Sequence, residues 1–277
     1  MTMLGVTGAT GRVGGLVARL LAEAGREQRL LVRSPERAPQ LPGAQAVACS
    51  YEDSEATRAA LQGIDVLFMV SAAEAADRLD QHRAFIDAAA AAGVRHVVYT
   101  SFMGAAPDAV FTLGRDHGAT EEHLRASGMA TTMLRDNFYI DVFPDFATDG
   151  VIAGPAGQGR VSAVAIADVA RVAATVLQDP AAHVGAVHEL TGPEALTLDE
   201  MAQAITRATG TPVRYHDESL AEAYASREPY GAEPWQVEAW VSTYTAIASG
   251  QLARVTDAVE RVTGRPPLTV EQALSRH

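Results

Sequence analysis

Met3-Leu4-Gly5-Val6-Thr7-Gly8-Ala9-Thr10-Gly11-Arg12-Val13-Gly14 decides the architecture of this chain. Met3 to Thr7 read as a short buried strand. Glycines follow at positions 8, 11 and 14, and Val13, Leu16, Val17, Leu20 and Leu21 then recur at helical spacing. Strand, glycine loop and helix in that order build an anion cradle. Gly8 permits the tight turn, Gly11 lets backbone approach a pyrophosphate, Gly14 lets the helix pack close to the strand, and the helix N-terminus faces the charge. The spacing is GxxGxxG rather than GxGxxG, so its weight comes from context. Without a ligand the same residues would be a glycine-rich turn.

A second strand, Gln28 to Val32, ends in Arg33-Ser34. An NAD-selective fold places an Asp or Glu near here to bond the adenosine ribose. Arg33 stands there instead, with Arg37 a turn further on. A planar guanidinium matches a 2′-phosphate, so the expected cofactor is NADPH; the alternative is a solvated loop arginine at either position.

Composition sets the outer limits. The chain has 277 residues, 48% of them hydrophobic, enough for one large α/β domain or a domain with a smaller lobe. A net charge of −12 argues against nucleic acid as a partner. One cysteine, Cys49, allows no internal disulfide and fits a reducing cytoplasm. The N-terminus reads directly into a strand, without a basic and apolar leader. Asp87 interrupts the most apolar stretch, Phe85 to Val94, so no membrane span is expected. All 22 basic residues are arginines, and with the alanine content this is the usage of a GC-rich bacterial coding sequence. The missing lysine removes Schiff-base chemistry and the P-loop lysine. It also removes the Tyr-x-x-x-Lys pair of many short-chain dehydrogenases, since Tyr99 is followed four residues later by Met103.

Strand and helix patterns alternate through the first half, which predicts a doubly wound parallel sheet of the α/β class. Further strands are expected at Ala46–Cys49, Asp65–Val70, Arg95–Thr100 and Thr131–Leu134. Helices are expected at Ser54–Leu61, Arg78–Ala92 and Arg115–Ser127. Beyond about Phe138, Pro and Gly punctuate shorter segments. A helix follows Asp168, which reads as its cap; a short strand reads at His188–Thr191. Thr197-x-x-Glu200 is a capping box, Pro234–Ala248 reads as a helix carrying Trp235 and Trp240, and Thr269-x-x-Gln272 opens a last helix. The expected division is a cofactor-binding domain over 1–137, with later segments returning to the sheet, and a small, mostly helical lobe over 138–277.

Thr7 to Gly14, Leu31 to Ser34, Tyr99 to Ser101, His117-x-x-Thr120-Glu121-Glu122, Leu134 to Asn137 and Gly264 to Pro266 stand in order. On these motifs the chain resembles the NmrA-like atypical short-chain dehydrogenase/reductases over nearly its whole length, and within them the NADPH:quinone oxidoreductase type 2 branch. The resemblance implies a Rossmann domain, NADPH, and a C-terminal lobe bounding a substrate cleft. Thr10, Gly11, Arg12 and Val13 would meet the pyrophosphate, and Arg33 the 2′-phosphate. Ser71 and Ala72 would lie beside the adenosine or ribose, Thr100 and Ser101 near the nicotinamide ribose, and Asn137, Phe138 and Tyr139 over the nicotinamide. Many relatives carry a lysine where this chain has His117, which leaves quinone reduction open and carbonyl-type proton relay unsupported.

Reducing a quinone asks mainly for positioning and exclusion of water. The expected acceptor is a small flat molecule stacked near Phe102, Phe138 and Tyr139, with His117, Tyr139 or Ser101 donating to the developing oxyanion. Each has an ordinary alternative: His117 a cap or surface group, Phe138 and Tyr139 packing, Asn137 a turn cap. A metal is not expected, and the chain acts as monomer or homodimer. Two other classes fit the same residues: an NADP(H)-sensing regulator that binds a protein partner, and a reductase of an enone or imine.

Overall fold

The apolar runs of the first half become the strands of one sheet in the computed structural model, which describes residues 2–275. These are β1 (Leu4–Thr7), β2 (Gln28–Val32), β3 (Ala44–Ala48), β4 (Val66–Met69), β5 (His96–Phe102) and β6 (Ala130–Asp136). Every residue of β1, β4 and β5 is buried, as expected for strands covered on both faces. The covering helices are α1 (Arg12–Glu23), α2 (Glu55–Leu61), α3 (Arg78–Ala91), α4 (Thr112–Ala126) and α5 (Ile166–Gln178). The strand order is β3-β2-β1-β4-β5-β6, with one further edge strand beside β6. β1 pairs in parallel with both β2 and β4, so the order reverses there, and ligands of such sheets bind at the strand carboxyl ends beside that point. Phe85, Ile86, Leu67, Val97, Tyr99 and Leu124 belong to one buried apolar core.

The remaining strands are short. They are β7 (Ala147–Thr148), β8 (Val151–Gly154), β9 (Arg160–Val161), the sheet-edge strand β10 (Val187–Leu190), β11 (Leu196–Thr197) and β12 (Arg214–Asp217). The last helices are α6 (Leu198–Thr209), α7 (Leu220–Ala225), α8 (Pro234–Ala248), α9 (Ala258–Thr263) and α10 (Val270–Leu274).

Two compact units result, and both are discontinuous. Within the described residues the first holds 2–101, Asp116–Arg135 and Val169–His188; the second holds Phe102–Arg115, Asp136–Asp168 and 189–275. Beside helices α6 to α10 the second unit holds short strands. It contains a three-stranded sheet, β12-β8-β7, and a two-stranded one, β11-β9, packed on a core that includes Phe143, Ile152, Leu198, Met201 and Ile247. Capping boxes open α6 at Thr197 and α10 at Thr269. Trp235 and Trp240 are half-buried, and Trp240 meets the Tyr230 ring edge-on.

Two expectations need correction. Asp168 does not precede its helix; it lies inside the first turn of α5, fully buried, where its Oδ2 accepts from the Leu268 amide at 2.7 Å. His117 does not start a helix either, because α4 begins five residues earlier at Thr112 and carries it on a buried face.

Candidate functional site

At the carboxyl ends of β1 to β4 lies a cleft of about 270 Å³, lined by Gly8, Thr10, Arg33, Cys49, Tyr51, Ser71 and Ala72 among others. Its floor is the glycine loop. Gly8 has φ +65°, and a Cβ at Gly14 would sit 2.4 Å from the Gly8 carbonyl oxygen and 2.5 Å from that of Thr7. Only glycine lets α1 start this close to β1. No side chain caps α1 at Gly11, and its first turn carries no acid, which leaves the helix start suited to an anion. Arg33 is exposed at the cleft and makes no hydrogen bond or ion pair among the described residues. Arg37, on a turn of 3-10 helix, does not line it.

Thr7 ties the loop to the neighbouring strand. Its hydroxyl accepts from the Val70 amide at 2.8 Å and meets the Tyr51 hydroxyl at 2.8 Å. Tyr51, which donates to the Val70 carbonyl, stacks on Phe85 with centroids 4.3 Å apart. Burial pushes its hydroxyl well above the usual tyrosine range. Burial also pushes the Cys49 thiol up to about 11, so it stays protonated and is a poor nucleophile. Sequence reasoning passed over Tyr51. Its position just after β3 was the available signal, because residues following parallel strands line such crevices.

The loop after β4 is held by a buried polar network. The Ser71 amide donates to Thr100 Oγ1 and the Ala72 amide to His82 Nε2, both at 2.8 Å. Arg78 donates from Nε to the Ala72 carbonyl at 2.9 Å and from Nη1 to Asp116 at 3.2 Å. Its Nη2 lies 3.0 Å from His117 Nε2, and His117 Nδ1 lies 2.9 Å from the Tyr99 hydroxyl. Burial, with the Arg78 charge second, takes His82 down to about 3 and holds His117 well below the ordinary histidine value.

Ser101, at the end of β5, donates to Glu121 Oε1 at 2.6 Å. Burial alone would raise Glu121, but Arg135, Ser101 and Arg125 together hold its carboxyl below the usual range. Arg135 binds it through Nε and Nη2 at 2.8 and 2.7 Å. Since a carboxylate only accepts, the Ser101 hydrogen is committed, and Ser101 is left able to accept a further bond.

Asn137, Phe138 and Tyr139 belong to the second unit. The Asn137 amide is spent internally: Nδ2 donates to Ser162 Oγ at 2.9 Å and to the Leu252 carbonyl at 3.0 Å, and Oδ1 accepts from the Phe138 amide. Phe138 packs against Phe102 and Phe111 with centroids 5.0 and 5.2 Å away, and Phe111 was not singled out from sequence. The Tyr139 hydroxyl donates to Asp136 Oδ2 at 2.6 Å.

A family model described as NAD(P)H-binding matches residues 8–180, from the first loop glycine to beyond α5. The chain belongs to this NAD(P)H-binding family. It is 34% identical to an NAD(P)H azoreductase from Xenophilus azovorans, the match covering 99% of this chain and 98% of that one. It is 32% identical to quinone oxidoreductase 2 of Escherichia coli, covering 99% and 98%. A crystal structure of the NADPH-dependent quinone oxidoreductase from Escherichia coli, complexed with NADPH, superposes with a TM-score of 0.89 at 32% identity, covering 99% of each chain. The NAD(P)H-binding assignment agrees with the order reversal at β1 and with the cradle beside it. Among the described residues no helix is long and apolar enough to cross a membrane, and no cluster of His, Cys, Asp or Glu is placed to hold a metal ion.

Proposed function

We propose that this protein is an NADPH-dependent reductase that delivers a hydride to a quinone or a similar small conjugated carbonyl compound. One observation carries the reading. Gly8 and Thr10 of the glycine loop line one cleft together with Arg33, in a chain similar over 99% of its length to a quinone oxidoreductase. An azo compound is the second candidate acceptor, because the azoreductase relative is equally well covered, and an azo bond likewise takes up one hydride and one proton. These full-length relatives are named for turnover, which favours an enzyme over a cofactor-sensing regulator.

Bound NADPH would supply the hydride from its nicotinamide ring. The chain's own work is placement. Backbone of Gly8, Thr10, Gly11, Arg12, Val13 and Gly14 receives the pyrophosphate, Val13 through main chain alone because its side chain is buried. Arg33 binds the 2′-phosphate through parallel hydrogen bonds. Ser71 and Ala72 bound the adenosine side, their amides already held by Thr100 and His82. Ser101 accepts from a ribose hydroxyl. Phe102, Phe111 and Phe138 offer an aromatic platform to a flat acceptor, and Tyr139 is the hydroxyl that protonates it. His117 acts as a positioning residue, steadying Arg78 and through it Ala72.

NADPH oxidation followed by absorbance, with benzoquinones, naphthoquinones and an azo dye as acceptors, tests the reading. Arg33→Ala should raise KM for NADPH about tenfold to a hundredfold, the worth of a charged hydrogen-bond pair of about 1.5–3 kcal/mol, and leave NADH nearly unaffected. Equal loss for both cofactors would overturn the 2′-phosphate role. Cofactor binding without turnover on any acceptor would favour the regulator.

A further inference from the structure

Asp136 closes β6, and the chemistry above makes no use of its carboxyl group. It is 2% exposed. Oδ2 accepts from the Tyr139 hydroxyl at 2.6 Å, and Oδ1 is buried with no hydrogen-bond partner among the described residues. An ionised carboxylate has about four lone-pair sites to satisfy, and here a single donor meets it. Glu121 shows the contrast: a carboxyl equally sunk, but held by Arg135, Arg125 and Ser101 and therefore ionised. Among the described residues no cation does this for Asp136. Tyr139 is the titratable group acting on it among the described residues. The charges nearest along the chain are turned to other partners, Arg135 to Glu121 and Asp141 to the Ile166 amide. Burial pushes the Asp136 carboxyl up to about 8, the Tyr139 hydrogen bond offsetting only part of the effect.

We infer that Asp136 and Tyr139 form a proton-holding pair that feeds the reduction: Asp136 stores a proton behind the Tyr139 hydroxyl and passes it on as Tyr139 protonates the acceptor. The inference rests on the reductase reading. Tyr139 adjoins Phe138, whose ring completes the aromatic platform with Phe102 and Phe111. When Asp136 is neutral, Oδ2–H donates to the Tyr139 oxygen, and the phenol hydrogen turns to the acceptor. The hydride brings two electrons to the acceptor. The Tyr139 O–H bond breaks as an O–H bond forms on the reduced acceptor, or an N–H bond in the azo case. The Asp136 O–H bond breaks as the phenol is restored. The resulting carboxylate takes a proton from water before the next turnover.

The test is the pH profile of kcat at saturating NADPH and acceptor, for wild type, Asp136→Asn and Tyr139→Phe, with the protonated-carboxyl infrared band followed in the resting protein. Wild type should hold its rate up to about pH 8 and then fall roughly tenfold per pH unit, while the band bleaches with the same midpoint. Asp136→Asn should lose both the band and the alkaline limb, and its rate at pH 7 should drop at least about tenfold. Tyr139→Phe should lose rate and limb but keep the band; it also serves if Asp136→Asn does not fold. An alkaline limb that survives in both variants, or a band already absent at pH 6, overturns the proposal. A wild type that reduces no acceptor overturns the reductase reading and the relay with it, whereas turnover with the alkaline limb kept in both variants overturns the relay alone.

Discussion

Arg78 and Tyr99 between them fix the protonation state of His117. A guanidinium can only donate, so His117 Nε2 accepts from it and the single ring proton sits on Nδ1, directed at the Tyr99 oxygen. Adding a second proton would set a cation against Arg78 in a dry interior, which is why His117 titrates far below its ordinary value. The imidazole is thus a poor acid at neutral pH. His117→Ala is expected to lower stability by about 1–3 kcal/mol, the cost of leaving buried polar groups unmet, and to leave kcat nearly unchanged. Urea unfolding and steady-state rates check both. A hundredfold fall in kcat with unaltered stability would restore the acid role. The sequence singled out His117 by family resemblance but passed over its partners. Arg78 and His82 stand on the same helical stripe as Phe85, Ile86 and Ala89, and all five are buried. Polar residues at core positions of an amphipathic pattern were the readable sign. Nothing in sequence could show that Ser101 spends its hydrogen on Glu121, since that pairing joins β5 to α4 across the fold.

Among the elements, the junction of β1 and α1 is under the tightest constraint. Gly14→Ala would press a methyl group into two carbonyl oxygens at 2.4 and 2.5 Å, and backbone cannot rotate away as a side chain can. α1 must then shift off β1, at about 1–3 kcal/mol for an overpacked contact. The loop leading into it would move as well. NADPH affinity, read by fluorescence titration, should fall more than tenfold along with the melting temperature. Unchanged affinity would separate the loop geometry from the helix packing. The β1–α1 unit was legible because three independent signals agreed: an apolar run, a glycine spacing and a helical period. Pro234–Ala248 was legible to the residue. The two-residue strands β7, β9 and β11 were not, because two residues carry no periodicity and their pairing depends on distant partners, as Leu196 opposite Val161 shows. Asp168 misled as a cap because its true partner, Leu268, lies 100 residues away.

For the whole molecule, the buried titratable groups predict a stability optimum on the slightly acid side of neutrality. His82 and His117 stay neutral in the fold where the unfolded chain would charge them. Below about pH 6.5, and down to about 3 for His82, the unfolded state binds more protons and stability falls with falling pH. Asp136 acts in the opposite sense. Between about 3.8 and 8 the folded state holds the extra proton, so stability declines as pH rises through that window. Each group contributes about 1.4 kcal/mol per pH unit inside its window, so below pH 6 these two imidazoles, with His96 shifted in the same direction by burial, outweigh one carboxyl. Melting temperatures from pH 4 to 9 should peak near 6.5, and Asp136→Asn should flatten the alkaline side and steepen the acid side. A wild-type curve still rising from pH 7 to 8 would contradict the buried acid. The interleaving of the two units, each assembled from three separate stretches of chain, bears on how such proteins can be recombined. A single crossover with a relative never exchanges one unit whole; wherever it falls, it leaves parental and foreign segments inside the same core. Five junctions, at the ends of those stretches, are needed to transplant the second unit intact, so variation within this architecture is channelled into point substitutions and loops rather than the shuffling of domains.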